Sequence, residues 1–343
     1  MKKSVFIDGQ EGTTGLEIHE RLARRPDLTL LQIAPEHRKD PVAKREIAER
    51  ADAVVLCLPD AASIEAVHLI GSSSTKIIDA STAHRVADGW VYGLPELCPG
   101  QRDAIRGARL VANPGCYPTG FLLALRPLVD AGVVSVDHPV TVQALSGYSG
   151  GGKKLITAFA EHDHRGKSPD WTARTYALGL AHKHVPEMQV FARLTHAPLF
   201  SPVVGNYYQG MTVAVPLHVR SLAKRVTPGD VHALYVNRYA AEPFVKVMPL
   251  GGGDATLDGC LSPTACNGTN RVELFVMGHD AQILVVARLD NLGKGASGAA
   301  VQNLNLMLGL EEAAGLEYRE ATEVVGAALP PPRVASRRLP DVG

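Results

Sequence analysis

Along the first third of the chain, hydrophobic positions alternate between short continuous runs and helical periods. Ser4–Asp8 is an apolar run closed by Gly9, and Gly15–Arg25 then sets Leu16, Ile18, Leu22 and Ala23 in a helical pattern. Leu28–Ala34 reads as a second strand. Ala53–Leu58, AVVLCL closed by Pro59, is apolar throughout, as a strand covered on both faces requires. Asp60 is placed to cap a helix carrying Ile64, Val67, His68 and Leu69, with Gly71 as its stop. Lys76–Asp79 and Arg109–Ala112 add two short strands. Repeated strand–helix–strand units of this size predict a parallel sheet with helices on both faces.

After about Gly132 the pattern changes. Val140–Leu145, Met211–Val219, Val272–Met277 and Gln282–Leu289 are longer, partly alternating strands. Gly278-His279-Asp280 joins the last two as a hairpin, so a mostly antiparallel sheet is expected. Thr227–Ala240 reads as a helix with Thr227 as cap and Pro228 at its first position. Gly295–Gly309 returns to helical period through Ala299, Val301, Leu304, Leu306 and Leu308. From Leu329 the tail, with its PPP and RR, has no period and reads as a surface extension.

The chain of 343 residues is longer than one core usually serves, which predicts two domains. With 45% apolar and 20% charged residues it has the composition of a soluble globular protein. Lys+Arg and Asp+Glu balance at 35 each, so the charge footprint of a nucleic-acid binder is missing. No apolar run approaches the ~20 residues that span a bilayer. Behind Met1-Lys2-Lys3 only Val5–Ile7 is apolar before Asp8, too short for an export signal. Five cysteines in no framework spacing point to a reducing cytoplasm.

Gly9-Gln10-Glu11-Gly12-Thr13-Thr14-Gly15 lies between the first strand and the first helix. Glycines there let the chain turn tightly and bring backbone N–H groups against a pyrophosphate, the alternative being a plain tight turn. After the second strand comes Glu36-His37-Arg38-Lys39. Arg38 and Lys39 suit the 2′-phosphate of NADP(H), Glu36 is a counter-signal, and a solvated charged loop is the bland alternative.

Asn113-Pro114-Gly115-Cys116-Tyr117-Pro118-Thr119-Gly120 leads into the apolar helix Phe121–Val129. Pro118 suits the first helical position, which puts Cys116 just before a helix N-terminus, where N–H groups and the macrodipole favour a thiolate and await an oxyanion. Cys57, inside an apolar strand, reads as inert core. A thiol nucleophile needs an acid/base partner, and His182-Lys183-His184 stands before a helix opening at Pro186. Neither this pair nor His162-Asp163-His164 comes with further ligands at metal-site spacing, so no metal is expected. Ser146–Lys153 is a glycine-rich stretch that either closes around an anionic substrate or is a surface loop. Tyr148 has Gly152 rather than lysine four positions on, against a short-chain dehydrogenase.

Taken together, DGQEGTTGLEI, CLPD, IDASTAHR, GLPEL, NPGCYPTG, ALSGYSGGGK and HKHVPEM resemble the shorter form of the N-acetyl-γ-glutamyl-phosphate reductase family, in order from about residue 4 to about 310. That family stands beside aspartate-semialdehyde dehydrogenase and, more distantly, glyceraldehyde-3-phosphate dehydrogenase. The resemblance implies an α/β fold with an N-terminal Rossmann-type parallel sheet over residues 1–115, completed by a returning helix at about 293–312. It implies a catalytic and oligomerisation α/β domain over 116–292, in a homodimer or homotetramer, with residues 326–343 as a tail. The implied reaction is the NADPH-dependent reduction of an acyl phosphate to a semialdehyde, with release of phosphate, in arginine biosynthesis. Cys116 matches the nucleophile and His184 the acid/base, with His182 the second choice. Ser81, Arg85, Asn113, Lys153 and His182 are the candidate substrate contacts. Gly9, Gly12, Thr13, Thr14, Gly15, Arg38, Lys39 and Asn291 are the candidate cofactor contacts, with 291–296 near the cofactor. The glycine loop departs from the GxxG(Y/A)xG form of longer members, which bears on fine cofactor contacts. The rivals are an aspartate-semialdehyde dehydrogenase and a catalytically silent NADP-sensing regulator.

Overall fold

The computed structural model of the chain describes residues 2–9, 12–38, 40–164 and 171–317. The apolar run at Ala53 forms the short strand β3 (Ala53–Leu56), flanked in sequence by β1 (Lys3–Asp8), β2 (Leu28–Leu31), β4 (Lys76–Asp79), β5 (Val91–Tyr92) and β6 (Leu110–Ala112). These strands pair in the order 2-1-3-4-6-5, all parallel. Because β2 lies on one side of β1 and β3 on the other, the strand order reverses at β1, and a crevice opens there above the carboxyl ends. The connecting helices are α1 (Thr13–Ala23), α2 (Pro41–Arg50), α3 (Asp60–Ile70) and α4 (Gln101–Gly107). Helix α2 was invisible to apolar period because only Ile47 and Ala48 are buried, yet it starts on a plain signal: the Asp40 carboxylate accepts from Val42 N–H at 2.9 Å with Pro41 beside it. Asp60 is the first residue of α3 rather than its cap. Its carboxylate instead accepts from the Thr82 N–H at 2.9 Å.

Helix α5 (Cys116–Asp130) leads from the first sheet into the second. The second sheet contains β7 (Thr141–Gly147), β8 (Ala173–Thr175), β9 (Leu199–Gly205), β10 (Met211–His218), β11 (Val245–Val247), β12 (Val272–His279) and β13 (Gln282–Leu289). Its order is 11-12-13-10-7-9-8, with four antiparallel pairings and two parallel ones, β11·β12 and β7·β9. The mostly antiparallel expectation holds, and the hairpin closes one step later than the glycine suggested, at Asp280-Ala281. Helices α6 (Gly152–His164), α7 (Val185–Ala192) and α8 (Pro228–Tyr239) belong to this part of the chain. Thr227 caps α8 with a reciprocal pair: its Oγ1 accepts from Asp230 N–H at 3.2 Å while Asp230 Oδ2 accepts from Thr227 N–H at 2.8 Å.

After β13 the chain passes through a wide π-helical turn, Gly293–Ser297, into α9 (Gly298–Leu308). Val301, Leu304, Leu306 and Met307 of α9 pack with Val5, Ile7, Ile18 and Leu22, so α9 and α1 share one face of the first sheet. Lys294 at this turn is fully buried, its Nζ 2.7 Å from Oε1 of the equally buried Glu96. The tail at 326–343 lies outside the described residues.

Helix α5 is buried along nearly its whole length, between the second sheet and α7 and α8. Pro127 sits inside it and has no N–H for the Leu123 carbonyl one turn back. The Tyr239 hydroxyl fills that vacancy, donating to Leu123 O at 2.7 Å, and Tyr235 donates to the neighbouring Ala124 O. Tyr239→Phe should therefore leave a buried carbonyl unpaired and lower unfolding stability by about 1–3 kcal/mol in chemical denaturation. An unchanged midpoint and slope would show that the carbonyl finds another donor.

Candidate active site

Gly9, directly after β1, has φ +89°, and a Cβ on it would stand 2.3 Å from the Cys57 carbonyl oxygen. Only glycine brings the chain this close to the neighbouring strand end. Gly12 then caps α1 in extended conformation, with no side-chain cap and no acidic residue in the first turn. The first N–H groups of α1 are thus left for an anion, and Gly15 is buried within the helix. Thr13 and Thr14 line a cavity of about 730 Å³ whose opposite wall comes from the second sheet. Arg38 is exposed beyond β2, at the end of the Pro35–His37 turn, with Glu36 beside it. Lys39 lies outside the described residues.

Cys116 lines the same cavity. It is the first residue of α5, so the helix begins two residues before the position that Pro118 suggested. Proline is tolerated at the third position because that N–H has no partner within the helix. Gly115, the residue before Cys116, is confined on three sides: a Cβ on it would lie 2.7 Å from Arg85 Nη1, 2.7 Å from His184 Nε2 and 2.8 Å from Glu187 Oε1. From behind, a Cβ on Gly295 would lie 2.7 Å from the Cβ of Cys116. Gly295 is set by its N–H, which donates to Asp290 O at 2.9 Å.

Glu187, on α7, gathers these pieces. Its Oε1 accepts from Arg85 Nη1 at 2.6 Å, and its Oε2 from the Tyr92 hydroxyl at 2.7 Å and from Gly115 N–H at 3.1 Å. The carboxylate is 1% exposed, so all three donors are satisfied away from water. Arg85 also donates from Nε to the Asn113 carbonyl at 3.0 Å. Burial alone would lower the Arg85 pKa, and Glu187 outweighs it, leaving the guanidinium firmly charged.

Electrostatics assign a resting state that differs from the thiolate expected of a helix N-terminus. Burial pushes the Cys116 thiol up to about 11, against the pull of Arg85 and of the Tyr117 and Cys116 N–H groups. Burial, then Arg85, His182 and Lys183, hold His184 well below the usual histidine range. His182 falls to about 4 for the same first reason, aided by Lys183 and Arg85. At neutral pH the site therefore rests as a thiol and a neutral imidazole. His184 stands immediately before α7, and its Nδ1 is buried without a protein partner. His182, half-buried, accepts the His184 N–H on its Nδ1 at 3.1 Å.

The remaining expected residues divide. Asn113 lines the cavity, with its amide tied to Ala296 O at 3.0 Å and to Asn303 at 3.1 Å. Asn291 also lines it, though Oδ1 accepts from Gly210 N–H at 2.7 Å and Nδ2 donates to Ser149 at 2.9 Å, which makes it a brace for the loops. Ser81 does not reach the cavity: its hydroxyl donates to buried Asp79 at 2.6 Å, holding the loop that carries Arg85. Lys153 is exposed on α6 and is not among the cavity residues, although Gly150–Gly152 before it are. The Ser146–Lys153 stretch is no free loop, since it forms a 3₁₀ turn and enters α6. His162 faces Trp171 in a stack at 3.8 Å, and the side chains of Asp163 and His164 lie outside the described residues. Glu187, Tyr117, Tyr176, Arg174 and Lys183 were missed as single residues. Glu187 and Lys183 stand inside HKHVPEM, where the histidines carry the more readable chemistry.

The profile for the NAD binding domain of semialdehyde dehydrogenases matches residues 4–107, and that for their dimerisation domain matches 116–291. An N-acetyl-gamma-glutamyl-phosphate reductase 2 from Nostoc sp. is 49% identical over 320 residues, covering 92% of this chain and 99% of that protein. The chain belongs to the N-acetyl-gamma-glutamyl-phosphate reductase family. A relative of that name from Burkholderia lata is also 49% identical, over 91% of this chain and 98% of its own. In fold the chain resembles the aspartate semialdehyde dehydrogenase II of Vibrio cholerae, at TM-score 0.69 and 18% identity over 90% of this chain and 98% of that one. The Francisella tularensis aspartate semialdehyde dehydrogenase gives 0.65 at 14% identity, over 90% of this chain and 100% of its own.

Family membership makes the electrostatic role of Glu187 testable. Its charge raises the Cys116 pKa while neutralising Arg85. Glu187→Gln should therefore shift the alkylation–pH profile of Cys116 to lower pH. Stability should fall by about 3–5 kcal/mol, because a buried cation loses its partner. A profile that stays put, or moves up, would refute this account of the thiol.

Proposed function

We propose that the protein reduces N-acetyl-γ-glutamyl phosphate to N-acetylglutamate 5-semialdehyde with NADPH, releasing phosphate, as a step of arginine biosynthesis. The observation that carries this reading is one cavity joining three things: the open N-terminus of α1, the Cys116 thiol, and the neutral His184 imidazole. The uncapped, acid-free start of α1 and the backbone cradle at Gly9 fit a dinucleotide pyrophosphate. Arg38 beyond β2 supports the phosphorylated form of the nicotinamide. NADPH bound there supplies a hydride.

The residues of the chain then do the following. The neutral imidazole of His184 takes the Cys116 proton as the sulfur attacks the acyl carbon, and the C–O bond to phosphate breaks. Arg85 and Lys183 place positive charge along the path of the departing phosphate. The acyl group waits as a thioester on Cys116. Once reduced, it is a hemithioacetal oxyanion facing the N–H groups at the start of α5 and the His184 imidazolium. Collapse breaks the C–S bond, frees the aldehyde, and the thiolate recovers its proton from His184. The thiol and imidazole are restored, so the cycle balances. Residues 116–291 support a homodimer or a larger assembly of dimers, and five unpaired cysteines support a cytoplasmic location.

Two measurements test this reading. Protein mixed with acyl phosphate and no NADPH should give one acyl adduct, by mass spectrometry, on the peptide holding Asn113–Thr119. Cys116→Ser should bind NADPH yet give no adduct, and an adduct on another cysteine would move the nucleophile. For the cofactor, Arg38→Ala should weaken NADPH by about 1–3 kcal/mol, the worth of a charged hydrogen bond, while sparing NADH. Equal losses for both cofactors would remove Arg38 from phosphate recognition.

A further inference from the structure

Two exposed cations line the cavity beside the buried Arg85: Lys183 and Arg174. They stand in different surroundings. Lys183 acts through its charge on His182, His184 and Asp60, so it belongs to the wall that carries Arg85. Arg174, on β8, has no carboxylate partner among the described residues, and its guanidinium carbon lies 4.5 Å from the centre of the Trp171 ring. That ring is itself fixed, stacked on His162 at 3.8 Å and edge-on to buried Phe159 at 4.9 Å. A guanidinium laid against an aromatic face loses rotational freedom but keeps its edge N–H groups, the geometry that grips a carboxylate with two parallel bonds. Two residues along from Arg174, the Tyr176 hydroxyl donates to Tyr117 at 2.9 Å, and Tyr117 follows the nucleophile. Arg174 thus stands on a wall that Tyr176 braces to Tyr117, the residue after Cys116, and its aromatic seat sets it apart from Lys183 and Arg85.

We propose that Arg174, steadied by Trp171, binds the α-carboxylate of the substrate and makes the site select semialdehydes and acyl phosphates that carry one. This rests on the function proposed above and extends it to the far end of the substrate. The bound carboxylate positions the acyl carbon over Cys116 without entering the chemistry.

The test runs the reaction in reverse, with NADP and inorganic phosphate. N-acetylglutamate semialdehyde is compared with 4-acetamidobutanal, which is the same molecule without its carboxylate. Arg174→Ala should raise KM for the first about ten- to a hundredfold, with kcat nearly unchanged, as expected for loss of a charge-assisted hydrogen-bonded pair. On 4-acetamidobutanal the variant and the parent should coincide. Arg174→Lys should fall between, since it keeps the charge and loses the fork. Equal losses on both aldehydes, no loss on either, or a raised KM for phosphate in place of the aldehyde would overturn the assignment. Failure of the underlying reading looks different, because the parent protein would then turn over neither aldehyde. Arg174 would in that case be judged by glutarate protection of Cys116 from iodoacetamide, which the alanine variant should lose and which, if retained, overturns the proposal.

Discussion

The candidate site is held by one buried carboxylate. Glu187 accepts from a guanidinium, a phenol and a backbone N–H that come from three separate stretches of the chain, and it sits three residues after His184. Each donor alone would be costly to bury, and so would the carboxylate. Together they neutralise one another and fix Gly115, the residue on which the position of Cys116 depends. The loop between β6 and α5 would otherwise be free to drift, and a displacement of about 1 Å is enough to spoil a near-attack geometry.

The same cluster explains why the resting thiol is quiet. A helix N-terminus favours thiolate, yet the buried setting and the Glu187 charge outweigh it, and the imidazole alongside is kept neutral. In the proposed reaction, charge appears only when substrate arrives and the proton crosses from sulfur to nitrogen.

The apolar runs and helical periods made the layered fold legible, because burial imposes them directly on sequence: the AVVL of AVVLCL became an interior strand, ending two residues before Leu58, and the Thr227-Pro228 start became a capped helix. Helix α2 escaped, since it buries too little to leave a period. Cys116 and His184 were legible because their residue types carry chemistry and their motifs flank helix starts. Glu187 was not, because a charged residue three after a histidine reads as a solvated helix face until its partners, 72 and 102 positions away, are in place. Ser81 misled for the mirror reason. Its motif is in the right place, but its hydroxyl turns inward to Asp79. Arg174 depends on an aromatic platform that no spacing rule announces.

The turn at Gly293–Ser297 backs Cys116 with Gly295 and locks to the earlier part of the chain through Lys294 and Glu96. Both contacts come from residues 294 and 295, while the groups they touch, Glu96 and Cys116, are made much earlier. During synthesis, the thiol of Cys116 therefore leaves the ribosome long before the wall behind it exists. A chain that stops before Gly293 lacks that wall and leaves the buried Glu96 carboxylate without its cation.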